Sequence, residues 1–191
     1  NKLIQLDLWS VKSSIDIFCL TETKIDDSHT DALLSLNNCF TVVRKDRNKH
    51  GGGVAILLRR SIKHHILSIP QHLQSVEALA CDIIILGSTY RIVVVYNRNH
   101  NTCLRDLIDT LNYMLLTPYP CIITGDFNLP HIDWNVPSAC DSNCRNLLNF
   151  SILNGLTQHV SAPTRFNPPN ILDLVFSSTS NLISDVVVGD L

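Results

Sequence analysis

Five short segments carry residues whose types suit work on a phosphate ester. The chain has only two glutamates, Glu22 and Glu77. Glu22 directly follows the apolar run Ile15–Leu20, where a strand would end. A carboxylate there can reach a cleft without being buried unpaired, and so can hold a divalent metal. An ordinary junction acid fits the same spacing. In Ile123–Trp134 (ITGDFNLPHIDW), Asp126 and Asn128 stand two apart and share a side if the backbone is extended, with Phe127 turned the other way as an anchor. A carboxylate can orient or deprotonate water, and an amide can hold a phosphate oxygen. Both types are also common turn formers.

Asp173 interrupts the apolar run ILDLVF, where an unpaired buried acid is costly. It therefore faces solvent or has a dedicated partner, and an imidazole is one such partner. Tyr96 ends RIVVVY and is followed by Asn97 and Arg98, a hydroxyl and a guanidinium able to touch phosphate. Arg165 and Phe166 sit in the loop Pro163–Phe166, where stacking on a nucleic acid and plain loop decoration are both open. Gly51–Gly53 lack the Lys-Ser/Thr of a triphosphate-binding loop and precede a strand, which argues against that use. His64 and His65 are adjacent and point opposite ways in a strand, which makes them poor joint ligands.

These segments must be positioned by a scaffold. Leu3, Leu6, Leu8 and Trp9 mark a first helix, and Asp31–Leu36 a short one. Strands are expected at Ile15–Leu20, Phe40–Val43, Val54–Leu58, Val76–Ile83, Arg91–Tyr96, Cys121–Thr124, Ile171–Phe176 and Val186–Val188. RKDRNKH reads as a charged loop. The Leu86–Ser88 turn makes Val76–Ile83 and Arg91–Tyr96 a hairpin, which excludes a purely alternating βαβ chain. Leu104, Leu107, Ile108, Leu111 and Leu115 recur at helical spacing, so Thr102–Leu116 is a helix with Thr102 as N-cap. Arg145–Asn154 is another, closed by Gly155. The pattern is a mixed α/β domain, strand-dominated, with two sheets packed together and helices outside.

The chain has 191 residues, 45% hydrophobic and 17% charged, which fits one globular domain over 1–191 and excludes a disordered tail. Its net charge of −2 excludes binding nucleic acid by bulk charge alone. No run is long enough to span a membrane, and no signal peptide is evident. The start at Asn1 and the end inside an apolar stretch suggest a fragment. Seven cysteines, without a C-x-x-C pair, suggest buried thiols in a reducing compartment, nucleus or cytoplasm. Cys140 and Cys144 are spaced to share a helix face, but a metal site there is not expected.

Taken together, DIFCLTETKID (16–26), GGGVAILLRR (51–60), IVVVY (92–96), GDFNLPHIDW (125–134) and LTQHVSAPTRFNPPNILDLVFSS (156–178) resemble the endonuclease/exonuclease/phosphatase superfamily. Within it, the chain is most similar to the apurinic-type endonuclease domain of non-LTR retrotransposons. The resemblance implies an α/β fold: a four-layer α/β sandwich of two packed mixed β-sheets flanked by helices, incomplete here at both termini. It implies Mg²⁺ (or Mn²⁺) held by Glu22. It also implies Asp126 acting on water, Asn128 and Tyr96 at the phosphate, and Asp173 orienting a histidine. Arg98 and Arg165, with Arg44 to Lys49, would supply positive contacts to DNA.

The family's opening strand with its asparagine, and its Ser-Asp-His motif, have no counterpart in this sequence, so weak or absent turnover is expected. Nicking of DNA to leave a 3′-hydroxyl, beside a downstream reverse transcriptase, is the implied function. A phosphoesterase acting on small or lipid phosphates and a non-catalytic binding module are the alternatives.

Overall fold

A computed structural model describes residues 2–98 and 104–189. Helix α1 (Lys2–Lys12) leads into strand β1 (Ile17–Thr21), short helix α2 (Asp31–Leu34), β2 (Phe40–Lys45) and β3 (Val54–Arg59). These three strands form an antiparallel sheet in the order β1-β3-β2. Next come β4 (Lys63–Ile66), β5 (Glu77–Ile85), β6 (Ser88–Tyr96), helix α3 (Arg105–Leu115) and β7 (Cys121–Asp126). The ribbon β8 (Ile132–Asp133) and β9 (Ser138–Ala139) precedes helix α4 (Ser142–Leu153) and β10 (Thr157–Gln158). A second ribbon, β11 (Arg165–Phe166) and β12 (Pro169–Asn170), leads to β13 (Asp173–Ser177). The larger sheet has the order β10-β13-β7-β6-β5-β4 and is mixed, because β6 and β7 run parallel while its other pairs are antiparallel.

Alternation of side chains along the strands explains the layering. Val54, Ile56 and Leu58 of β3 meet Leu79, Cys81, Ile83, Ile92 and Val94 of the larger sheet, forming the central core. The opposite parity of β3, Ala55 and Leu57, packs with Phe18, Phe40, Leu6 and Trp9 under α1. On the far side, Ala78, Ala80, Val93, Val95 and Ile123 are covered by Leu107, Leu111 and Met114 of α3 and by Leu147 and Phe150 of α4. Helices, sheet, sheet and helices follow one another, the layering of an α/β sandwich. VAILL has no polar alternation because both of its faces are buried.

Several expected boundaries move. Arg44 and Lys45 belong to β2, not to a loop. Residues 186–188 form no strand, because no neighbouring backbone among the described residues pairs with them. Helix α4 starts three residues early, since Asp141 is its N-cap and accepts the Cys144 N–H at 2.9 Å. Cys140 therefore lies before the helix and does not share a face with Cys144. Thr102, the expected cap of α3, lies outside the described residues. The hairpin turn is Leu86–Gly87, both residues at positive φ (50° and 82°), as a two-residue loop of type I′ requires. No helix among the described residues is long and apolar enough to cross a membrane.

Candidate functional site

Register places the polar strand ends in one row. Tyr96 pairs with Asp126 across β6 and β7, Asp126 with Asp173 across β7 and β13, and Tyr96 with Glu77 across β6 and β5. Paired residues share a face, and this face is the one turned toward the smaller sheet. Asp173 opens β13 rather than interrupting a strand, so this acid is not buried mid-strand.

Glu22 comes from the opposite sheet. Strict alternation would send it the way of Phe18 and Leu20, toward α1. A left-handed backbone (φ 50°) turns it back instead. The Tyr96 hydroxyl donates to Glu22 Oε1 at 2.5 Å, bridging the two sheets, and Lys24 Nζ lies 3.2 Å from Oε2. The Tyr96 hydrogen bond, followed by the Lys24 contacts, holds the Glu22 carboxyl below its ordinary pKa despite some desolvation. Burial, then the bond to Glu22, drives the Tyr96 hydroxyl well above the usual phenol range, so it remains a donor.

The GDFN turn is built by local constraints. Gly125 has φ 142°, and a side chain there would collide with the Val95 carbonyl. Phe127 is fully buried and packs edge-to-face on Phe176, with centroids 5.7 Å apart. Asn128 is not extended. Its φ is 49°, and its N–H donates to Asp126 Oδ1 at 3.0 Å. Asp126 and Asn128 therefore meet through a side-chain turn and not through strand alternation. Asn97 locks this turn from the next strand. It donates its N–H to the Asp126 carbonyl (2.8 Å) and its Nδ2 to the Phe127 carbonyl (2.7 Å), and it accepts Asn128 Nδ2 (2.8 Å).

Burial raises the Asp126 carboxyl to about 7, with Asp173 and then Glu22 adding repulsion against the Asn128 hydrogen bond. Asp173 is also raised, by desolvation in the cleft, though its rim is solvent-accessible. Thr164 Oγ1 accepts the N–H groups of Leu172 and Asp173, at 3.1 Å each. Among the described residues, no histidine hydrogen-bonds Asp173. Asp173 and Glu22 thus lie near enough to Asp126 to repel its charge, while Lys24 and Arg47 offset the charge of Glu22. Such hard oxygen donors fit Mg²⁺ or Mn²⁺.

The arginines divide. Arg98 is exposed and lines a groove of about 320 Å³ beside Tyr96, with Arg47, Glu77 and Asp106. Arg165 is exposed on β11, one residue after Thr164. Arg44 is already ion-paired with Asp31 (2.8 Å) and Asp46 (2.5 Å), and Lys45 Nζ is spent on the Gln74 and Val76 carbonyls. These two therefore hold the fold and do not reach out for DNA. Asp133 Oδ1 caps its own loop by accepting from Asn135 and Val136.

A second cluster was hidden from spacing arguments. His131, Asp141 and Cys144 bring ligand atoms within 4.8 Å of one another and could hold a metal ion. Both Asp141 oxygens are already engaged, Oδ1 by the Cys144 N–H and Oδ2 by His131 Nδ1 at 3.0 Å. The mixed donor set suits a softer cation than the carboxylate cleft does.

Sequence reasoning also missed Asn97, Thr164, Arg47 and Glu77. Their partners lie on other segments of the chain, and only the place of Asn97 directly after a strand end hinted at a role.

Comparison with known proteins agrees with this architecture. The sequence profile of the endonuclease-reverse transcriptase family matches residues 90–189. The endonuclease domain of TRAS1, a telomere-specific non-LTR retrotransposon, superposes with a TM-score of 0.67 at 14% identity, covering 92% of this chain and 79% of that one. The 3′-5′ exonuclease NExo from Neisseria meningitidis superposes at 0.63 with 17% identity, covering 92% and 81%. An AP endonuclease from Archaeoglobus fulgidus gives 0.63 at 14% identity, again covering 92% and 81%. At these identities the likeness is one of fold. No curated protein matches the sequence significantly. The chain has the endonuclease/exonuclease/phosphatase fold, and it belongs to the endonuclease-reverse transcriptase family.

Proposed function

We propose that this chain hydrolyses phosphodiester bonds in DNA, in the manner of the nicking domain of a non-LTR retrotransposon, leaving a 3′-hydroxyl that primes reverse transcription. The observation that carries this reading is the row Tyr96–Asp126–Asp173 on one sheet, met by Glu22 from the other. Mg²⁺ or Mn²⁺ at Glu22, when bound, supplies positive charge to the phosphate oxygens.

The chain's own groups do the rest. Asp126, with its carboxyl near neutrality, accepts the proton of the attacking water. Asn128 holds one phosphate oxygen through the amide hydrogen not given to the Asn97 carbonyl, and Tyr96 would turn its single hydroxyl hydrogen from Glu22 to another when a metal ion takes that carboxylate. Asp173 keeps the neighbouring Asp126 basic and would orient an imidazole. Arg98 and Arg165, on opposite rims, contact flanking phosphates. DNA as substrate is supported by similar structures of an exonuclease and an AP endonuclease, and by that of the Neisseria 3′ phosphatase NExo bound to a product DNA hairpin. A reverse transcriptase domain downstream and residence in the nucleus or cytoplasm belong to the same reading.

The test is nicking of supercoiled DNA with Mg²⁺ or Mn²⁺, by the chain and by a version extended with its neighbouring sequence. Cleavage lost on Glu22→Gln or Asp126→Asn supports the reading. No cleavage by either form refutes it. Release of phosphate from small or lipid esters, with DNA left intact, would instead favour a phosphoesterase. Metal-indifferent DNA binding without cleavage would favour a binding module.

A further inference from the structure

The triple glycine, which lacks the Lys-Ser/Thr of a triphosphate-binding loop, has a different place in the fold. Glu77 opposes Tyr96 in register and is among the less accessible acids, its side chain 14% exposed. Its Oε1 accepts Arg47 Nη1 at 2.7 Å, and its Oε2 accepts the Gly53 N–H. Arg47 Nε in turn donates to the Gly51 carbonyl at 2.8 Å. The Arg47–Glu77 pair therefore grips both ends of the triplet.

The triplet then holds the segment that carries Glu22. The Lys24 N–H donates to the Gly52 carbonyl at 3.0 Å, and the Thr23 N–H to the Gly53 carbonyl at 3.3 Å. Glu22 and Lys24 are both left-handed, at φ 50° and 54°. Such backbone persists in non-glycine residues only when surrounding contacts over-determine it. Gly52 and Gly53 also have positive φ (72° and 87°). A side chain at Gly52 would strike the Arg47 guanidinium and the Glu77 carboxylate, and one at Gly53 would strike Thr23 Oγ1. Glycine is required here so that the ion pair and the Glu22 segment can close on the loop from two sides.

We propose that Glu77 and Arg47 are positioning residues, which fix the Glu22 carboxylate by clamping Gly51–Gly53. Neither touches Glu22 by a hydrogen bond. They act through the glycine backbone, and the Tyr96 hydroxyl fixes the other end of the same carboxylate. The clamp rests on geometry alone. Only its metal readout rests on the proposed function.

The experiment uses the whole 191-residue chain. Amide hydrogen exchange of Thr23 and Lys24 is compared between wild type and Glu77→Gln, with Mn²⁺ binding followed by the loss of free-ion magnetic resonance signal. The expected result is loss of protection at Thr23 and Lys24 while β6 and β7 amides stay protected. The Mn²⁺ half-saturation concentration rises roughly 10- to 100-fold, the usual penalty for removing support from a metal ligand. Saturating Mn²⁺ restores full occupancy of the site in Glu77→Gln but not in Glu22→Gln.

Arg47→Lys keeps the charge and loses the Gly51 bond, and it should shift both readouts the same way by less. This milder change keeps the test decisive if Glu77→Gln does not fold. Unchanged exchange at Thr23 and Lys24 in folded variants overturns the clamp. If wild type binds no Mn²⁺ yet the exchange of Thr23 and Lys24 still rises in Glu77→Gln, the clamp stands and the metal reading of Glu22 falls.

Discussion

Replacing Asp126 by asparagine should abolish activity and yet stabilise the metal-free protein at alkaline pH. In an unfolded chain an aspartate loses its proton near pH 4, whereas Asp126 in the folded chain does so at about 7. Between these values the folded state binds more protons than the unfolded state, so stability falls as pH rises. The cost is absent below about pH 4 and complete above about pH 7. Three pKa units correspond to about 4 kcal/mol, which is a ceiling. Asp173 is solvent-accessible and the Glu22 side chain is 44% exposed, so water screens their repulsion.

We therefore expect a gain of about 1–2 kcal/mol at pH 8, or roughly 2–8 °C in Tm for a chain of this size. Asparagine keeps an oxygen for the Asn128 N–H, so little is lost in exchange. The assay is thermal or urea unfolding of chelator-treated protein at pH 5 and pH 8, beside nicking of supercoiled DNA. Nicking should fall by about 10²-fold or more, as for loss of a general base. A variant less stable than wild type at pH 8, or a difference that does not depend on pH, would refute the reasoning.

Tyr96→Phe removes the hydrogen bond that joins the two sheets at Glu22. Nicking should drop about 10²-fold with the urea midpoint nearly unchanged, since the ring stays in the core. Asp82→Asn leaves Arg91, 5% exposed and otherwise bonded to the Met114 carbonyl, without its bidentate partner. It should cost roughly 3–5 kcal/mol in urea unfolding. Asp141→Ala removes the N-cap of α4 and should cost about 1 kcal/mol. The Cys144 N–H, more than His131, holds the Asp141 carboxyl at about 2. The cap's contribution is thus present above about pH 4 and lost as pH falls toward 2, which unfolding midpoints across that range would show.

Glu22, Tyr96 and Asp126 were legible in the sequence as candidates because each lies where a strand stops. Apolar runs ending at Leu20, Tyr96 and Gly125 mark strand ends by burial alone, and polar residues just past them have few other places to go. The layering was legible for the same reason. VAILL lacks polar alternation, and a strand without it must be covered on both faces. What a linear reading cannot supply is register. That Glu77 opposes Tyr96, or that Asp173 opposes Asp126, depends on pairings between segments tens of residues apart.

One misreading and one omission share a physical cause. Extended alternation makes Asn128 face with Asp126, and the sequence shows Gly51–Gly53 only as a triplet that precedes a strand, without the hold it has on the Glu22 segment. In both places the backbone crosses into positive φ, at Asn128, Gly52 and Gly53, and at Glu22 as well. Side-chain parity fails at such residues, because a left-handed residue reverses the direction that alternation assigns. Glycine and asparagine advertise this conformation in a sequence, but glutamate does not. The cleft is thus assembled where strand rules are broken, and the backbone that breaks them is held by partners on other strands. If that is the organising principle, a substitution that restores ordinary geometry should disable the site even when it adds no charge and removes none. Gly52→Ala, which adds one methyl group against Arg47 and Glu77, is the smallest such change. It should loosen the Glu22 segment, with higher amide exchange at Thr23 and Lys24, and leave the sheets intact. Retention of wild-type exchange there would mean that the left-handed backbone is incidental to the cleft.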